Sequence, residues 1–264
     1  MYFTKMEGLG NDYVYIDCRE AFPTDLPALA RRISDRHFGV GSDGLICIGP
    51  SAMADLSMVM FNSDGSEGKM CGNGIRCVGK FAYEKGLLSR DRMRIETESG
   101  IKELSLTVRD GKVEAVTVNM GKPLVAPPIA LTVLGQEYSM IPVSMGNPHI
   151  VTFVSGVDGL DLEHLGPEFE SHPRFPDRVN TEFVEVRDRG RLCMRVWERG
   201  SGETLACGTG ACAALAAAVS TGRSDREATV ELRGGELRIR WEEGDDLYMT
   251  GPAGTVFEGE WPEN

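Results

Sequence analysis

Apolar residues in this chain fall into short runs cut by Gly, Pro, Asp and Ser, which is the punctuation of β-strands. In the first half such runs occupy 14–17, 45–48, 56–61 and 113–120; in the second they occupy 150–154, 183–186, 193–197 and 230–241. Two places break the pattern. After Cys71-Gly72-Asn73-Gly74 and after Cys207-Gly208-Thr209-Gly210 the chain turns to helix formers, and 211–220 is Ala, Leu, Val and Cys with almost no polar face. A helix apolar all round is a buried one. The pattern predicts an α+β fold in which each half is a curved, mostly antiparallel sheet wrapped around one central helix, with a cysteine at that helix's N-terminus.

The halves read as copies. Cys71 and Cys207 lie 207 − 71 = 136 positions apart, and at that offset Glu67 meets Glu203, Gly10-Asn11 meets Gly146-Asn147, Phe61 meets Trp197 and Gly86 meets Gly222. Further on the register drifts, with Arg109-Asp110-Gly111 matching Glu242-Glu243-Gly244 at 244 − 111 = 133. Two pseudo-symmetric domains, 1–120 and 121–264, are expected, with the active site in the cleft between them.

Composition narrows the chemistry. The 264 residues are 41% apolar, enough for a full core, and the formal net charge is −12 with no basic run or face. Nucleic acid and anionic membrane are therefore poor partners. The first eighteen residues lack a basic stretch followed by an apolar run, and no later run is long enough to span a bilayer, so a soluble, cytoplasmic protein is expected. Seven cysteines, an odd number in a chain of this size, read as reduced thiols rather than a disulfide framework. Cys18, Cys47, Cys77, Cys193 and Cys212 read as core filler.

Cys71 and Cys207 differ from these through their setting. A helix N-terminus presents unpaired N–H groups and the positive end of the macrodipole, which bind anions and lower a thiol's pKa. If the pseudo-symmetry brings two such ends together, two thiols flank one bound carboxylate. Stereoinversion at an α-carbon needs that arrangement, one group removing the proton from one face while another delivers a proton to the opposite face. The helix-end amides would stabilise the enolate-like charge in a dry site.

The segments Gly8-Leu9-Gly10-Asn11-Asp12, Asn62-Ser63-Asp64-Gly65-Ser66-Glu67, Met70-Cys71-Gly72-Asn73-Gly74-Ile75-Arg76-Cys77, Gly146-Asn147-Pro148-His149, Arg178-Val179-Asn180-Thr181-Glu182-Phe183 and Trp197-Glu198-Arg199-Gly200 through Cys207-Gly208-Thr209-Gly210 resemble, in order and spacing, the motifs of the diaminopimelate epimerase family. The resemblance implies interconversion of LL- and meso-diaminopimelate, in lysine and cell-wall biosynthesis, without pyridoxal phosphate or metal, by a homodimer. By matching position, Cys71 and Cys207 are the acid and base. Asn11, Asn62, Asn147, Asn180, Glu198 and Arg199 hold the substrate, and the amides around Gly72, Asn73, Gly208 and Thr209 take the reacting carboxylate. Some family members carry Gln where this chain has Gly44, so one substrate-side hydrogen bond is absent or replaced.

Several of these residues also have plainer readings. His149 is either a locally satisfied turn residue or one that tunes a thiol. Glu198 and Arg199 are either substrate groups or a solvated pair. Asn11 and Asn147 neighbour Gly or Pro and suit turns, while Glu67 and Glu203 suit helix N-termini. Gly39-Val40-Gly41-Ser42-Asp43-Gly44 fits a dinucleotide fingerprint, as does 208–213 in its Ala-ending variant, but neither follows a strong strand. No Cys/His set has zinc spacing. The rival functions are a proline racemase or hydroxyproline epimerase, and a non-catalytic dithiol redox protein.

Overall fold

The computed structural model describes residues 1–242 and 246–262; the Glu243-Gly244 part of the drifted repeat lies outside them. The chain divides into two compact units, Met1–Val118 with Gly251–Asn264, and Asn119–Thr250.

In the first unit β1 (Tyr2–Gly8) and β2 (Asn11–Asp17) form a hairpin, followed by α1 (Leu26–Ser34), β3 (Gly44–Gly49), β4 (Leu56–Asn62), β5 (Glu67–Gly68), α2 (Gly72–Glu84), β6 (Arg92–Thr97), β7 (Gly100–Arg109) and β8 (Lys112–Gly121). Two of its pairings are parallel, β2 with β3 and β4 with β6. Parallel neighbours need a crossover connection, and here the crossovers are α1 and α2.

The second unit repeats the scheme. Short strands β9 (Leu124–Val125) and β10 (Ile129–Val133) pair with β11 (Gln136–Ser144), and the chain continues through β12 (Pro148–Phe153), α3 (Leu162–Glu170), β13 (Asn180–Asp188), β14 (Arg191–Glu198), β15 (Gly202–Glu203), α4 (Gly208–Ser220), β16 (Glu227–Leu232), β17 (Gly235–Trp241) and β18 (Leu247–Gly251). Its parallel pairs are β12 with β13, across α3, and β14 with β16, across α4. The central helices α2 and α4 match residue for residue at the 136 offset. So do α1 and α3, capped by Asp25 and Asp161, whose carboxylates accept from the N–H groups of Ala28 and His164. The sequence pattern did not reveal these two peripheral helices.

The tail departs from the expected halves. Strand β19 (Gly254–Glu260) pairs antiparallel with β1, so 251–264 group with the first unit rather than with the second. An edge strand with unpaired backbone groups, as β1 would otherwise be, is satisfied that way.

Each unit packs a hydrophobic cluster under its peripheral helix. Phe61 lies in the cluster with Ala30 and Ile33 of α1, and Trp197 in the cluster with Leu162 and Phe169 of α3. The larger indole is matched by Gly166, where a Cβ would come within 2.1 Å of the Trp197 ring. Nearly all of α2 and α4 is buried, including Arg76. No helix among the described residues is long and apolar enough to cross a membrane.

Candidate active site

The first half-site is built on α2. Cys71 is the N-cap, in extended conformation at φ −124°, and its Sγ accepts the Gly74 N–H at 3.2 Å. Sulfur here takes the place of the usual oxygen cap. Gly72 and Asn73 form the buried first turn, with the Asn73 amide oxygen accepting from Arg76. Asn11 reaches this cap because the β1–β2 hairpin turns through Leu9 and Gly10, with φ 58° and 83°, the left-handed pair that a type I′ turn requires. Leu9 is a strained choice there.

The Cys71 thiol donates to Asn11 Oδ1 at 3.1 Å, and Asn11 Nδ2 donates to Asp43 Oδ2 at 2.8 Å. A carboxylate only accepts, so Asp43 fixes the amide with its oxygen toward sulfur. Arg36 bridges Asp43 and Asp12, and Lys5 also pairs with Asp12. Burial alone would raise Asp12, but Arg36 and Lys5 hold it below the usual carboxylate value. Asn62 ends β4 and donates to Ser66 Oγ. Opposite it, Gly44 is tightly enclosed: a Cβ would come within 2.1 Å of the Phe61 carbonyl and 2.7 Å of the Tyr13 ring. A glutamine does not fit this backbone.

The second half-site is built on α4 in the same way. Cys207 is the N-cap at φ −123°, and its Sγ accepts the Gly210 N–H at 3.4 Å. Thr209 Oγ1 lies 3.5 Å from the sulfur and accepts from Asn147 Nδ2 at 3.3 Å; Asn147 Oδ1 faces His149 Nε2 at 3.1 Å. His149 is buried, so it is not a surface turn residue. Glu198 accepts from the Thr204 hydroxyl.

The expected lowering by the helix end does not prevail at Cys207. Burial raises its pKa well above that of an ordinary thiol, and the charges of Glu198 and Glu182 raise it further; the hydrogen bonds from Thr209 and Gly210 are too weak to compensate. Glu198 is itself raised, first by burial of its carboxylate end. Among the other cysteines, burial pushes Cys77 up to about 12, and the contact with Cys18, together with burial, raises Cys47, as inert core thiols require.

Asn180 and Arg199 also have structural contacts. Asn180 is buried, its Nδ2 donating to the Pro148 carbonyl and its Oδ1 accepting the Arg199 N–H, so the amide ties β12 to the turn after β14. The Arg199 guanidinium is exposed and donates to the Asp177 carbonyl, not to Glu198. Glu203 does not serve a helix end either: Arg195 grips it at 2.7 and 2.9 Å, and Arg233 adds a third contact.

Residue-level reading of the sequence missed Asp43, which was visible only inside a glycine-rich match, and Thr204. Glu182 sat in a quoted motif without a role. Among the described residues no three His, Cys, Asp or Glu side chains converge as a metal site would need.

A duplicated α+β fold of this kind has known relatives. The chain superposes on a Bacillus anthracis phenazine biosynthesis protein with a TM-score of 0.77 at 18% identity, covering 100% of this chain and 99% of that one. It superposes on a probable proline racemase from Agrobacterium radiobacter K84 with a TM-score of 0.75 at 16% identity, covering 100% and 93%. These likenesses define the fold. The sequence model of the diaminopimelate epimerase family matches residues 3–125 and 141–256. A diaminopimelate epimerase of Acetivibrio thermocellus is 54% identical over 98% of both chains. The chain belongs to the diaminopimelate epimerase family.

Proposed function

We propose that this chain interconverts LL- and meso-diaminopimelate with Cys71 and Cys207 as its two acid–base groups. The observation that carries the assignment of roles is the repeated cap: at the same place in each half a cysteine sulfur accepts the amide N–H of the third residue on, at the positive end of a central helix. Family membership makes the substrate a small amino acid.

The two thiols have unlike surroundings. Burial and the neighbouring carboxylates favour the thiol at Cys207, while the buried guanidinium of Arg76 places positive charge on the Cys71 side. Cys207 is thereby kept as the protonated partner. One takes the α-proton, the other supplies the opposite face, and the helix-end amides hold the carboxylate while charge develops on it. Asn11 and Asn147 bracket the sulfurs and complete the polar lining. Glu198 and Arg199 are assigned to the substrate's second amino-acid group. A cytoplasmic setting and a homodimeric state belong to the same proposal.

The test is incubation of the purified chain with LL-diaminopimelate in deuterium oxide without added pyridoxal phosphate or metal, with proline and hydroxyproline as controls. Inversion with deuterium entering one α-position is expected, and Cys71→Ser or Cys207→Ser should each reduce inversion roughly a hundred- to ten-thousand-fold. No turnover of diaminopimelate by the parent, or unchanged turnover in both variants, overturns the proposal.

A further inference from the structure

Glu182 has no part in the chemistry above, yet its placement is costly. It is fully buried on β13, one carboxylate oxygen lies 2.6 Å from His149 Nδ1, and the other has no hydrogen-bond partner among the described residues. It also presses against the head of α4: a Cβ on Gly210 would come within 2.9 Å of Glu182 Oε1. The titratable groups that face it are His149 from β12, Glu198 from β14 and Cys207 from α4. Only His149 can be a cation, and a buried carboxylate without one is strongly disfavoured.

The hydrogen-bond directions fix the protons. As a carboxylate, Glu182 only accepts, so His149 Nδ1 carries a hydrogen. At the other side of the ring, Asn147 has given its NH₂ to Thr209, so its oxygen faces Nε2 and that nitrogen carries a hydrogen as well. In that arrangement the ring carries a hydrogen on both nitrogens. Thr209 Oγ1 accepts from Asn147, which leaves the Thr209 hydroxyl hydrogen free to point at Cys207 Sγ.

We infer that Glu182 is a positioning residue: its buried carboxylate keeps His149 doubly protonated, which fixes Asn147 so that the chain of hydrogen bonds runs His149 to Asn147 to Thr209 and ends on Cys207 sulfur. The consequence for turnover rests on the reading of Cys207 as a reacting thiol. Once Cys207 gives up its proton, the thiolate receives the Thr209 hydrogen. With a neutral ring, Nε2 is an acceptor, the Asn147 amide turns over, and the Thr209 hydroxyl donates to Asn147 instead of to sulfur.

The ring can be observed without turnover. In protein labelled with ¹⁵N-histidine, the His149 signal is identified as the one missing in His149→Gln, and both its nitrogens are expected to carry hydrogens at about pH 8. In Glu182→Gln, which keeps an acceptor but not the charge, one ring nitrogen should lose its hydrogen at that pH. Its kcat should fall about tenfold or more at about pH 8 and recover toward pH ~6, with KM changed less than about twofold. Glu182→Asp should restore much of the loss. A neutral His149 ring in the parent at about pH 8 overturns the inference, as does a Glu182→Gln pH profile identical to the parent's. Failure of the parent to epimerise diaminopimelate would instead sink the functional reading, and the ring state would still be measured.

Discussion

The two halves share a scaffold and differ in what it carries. Backbone roles repeat with little change: capped peripheral helix, cysteine-capped central helix, and parallel joins across both. Many side chains at equivalent places do not repeat. Tyr13 and Ile46 of the first half correspond to His149 and Glu182, Asn62 to Glu198, and Arg76 to Cys212. The first half therefore places the Arg76 guanidinium by its thiol, with Asp12 and Asp43 held in ion pairs by Lys5 and Arg36, and the second places Glu182 and Glu198 by its own. Even the matched asparagines oppose each other, Asn11 turning its oxygen toward Cys71 and Asn147 its NH₂ toward Thr209 beside Cys207. Duplication gives two helix ends of one design; stereoinversion needs one base and one acid. The charges around the two caps diverge.

The sharpest way to break the comparison uses Glu67 and Glu203, equivalent in sequence. Glu67 is exposed on β5, whereas Glu203 is almost buried between Arg195 and Arg233, and Arg195 is further held by the carbonyls of Val157, Asp158 and Leu160. Glu203→Ala leaves a buried guanidinium without its anion and should destabilise by about 3 kcal/mol, against less than about 0.5 for Glu67→Ala. The pH dependence has a definite sign. Burial alone would raise Glu203, but Arg195 and Arg233 hold it below its ordinary value, so its contribution is complete above about pH 4.3 and is lost as pH falls through the lower folded value. Urea unfolding of both variants at neutral pH, and again at about pH 3, should show the difference and then its narrowing. Equal costs at neutral pH would mean that the two positions are alike after all.

A smaller effect is expected at Gly44, whose counterpart is Asn180. The β3–β4 pairing sets the Phe61 carbonyl and the Tyr13 ring where a side chain would begin. Gly44→Ala should destabilise by about 1–3 kcal/mol, as overpacking does, measured by thermal or urea unfolding. A neutral substitution would show that this strand pair shifts readily, and that a glutamine here needs no rearrangement.

Much of this was legible in the sequence where physics is local. The apolar runs, the two cysteine-headed helices and the 136-residue repeat depend on neighbouring residues, and they predict the α+β class and the halves' shared design. What depends on distant contacts was not legible. Strand β19 declares itself only by pairing with β1, some 250 residues away. The helix-end argument for a lowered thiol holds for the isolated helix; at Cys207 it is outweighed by burial and by two carboxylates from β13 and β14. Asp43 and Glu182 act through Asn11 and His149, and nothing in their own neighbourhoods marks them. The peripheral helices are a different case. Their capping aspartates were readable, but each helix is only 9 residues and contains proline, which masks the periodicity.

Those helices give the finest test of the comparison, because here the halves agree at one end and differ at the other. Asp25 and Asp161 make the same cap, to Ala28 N–H at 3.0 Å and His164 N–H at 3.2 Å. Both side chains sit at exposed ends where little else changes, so Asp25→Ala and Asp161→Ala should each destabilise by about 1 kcal/mol. The prolines differ. Pro27 lies in the first turn of α1, where its missing N–H has no intrahelical partner to lose; Pro167 lies inside α3 and removes a bond there. Helix α3 therefore depends more on the packing of Phe169 and Trp197 than on its own ladder. Amide exchange should find α3 opening more readily than α1 in the parent; Asp161→Ala should widen that gap and Asp25→Ala narrow it, while the two shift global stability by similar amounts. If the caps differ by more than about 1 kcal/mol, or if α1 opens first, the peripheral helices are not equivalent in the way their shared offset suggests.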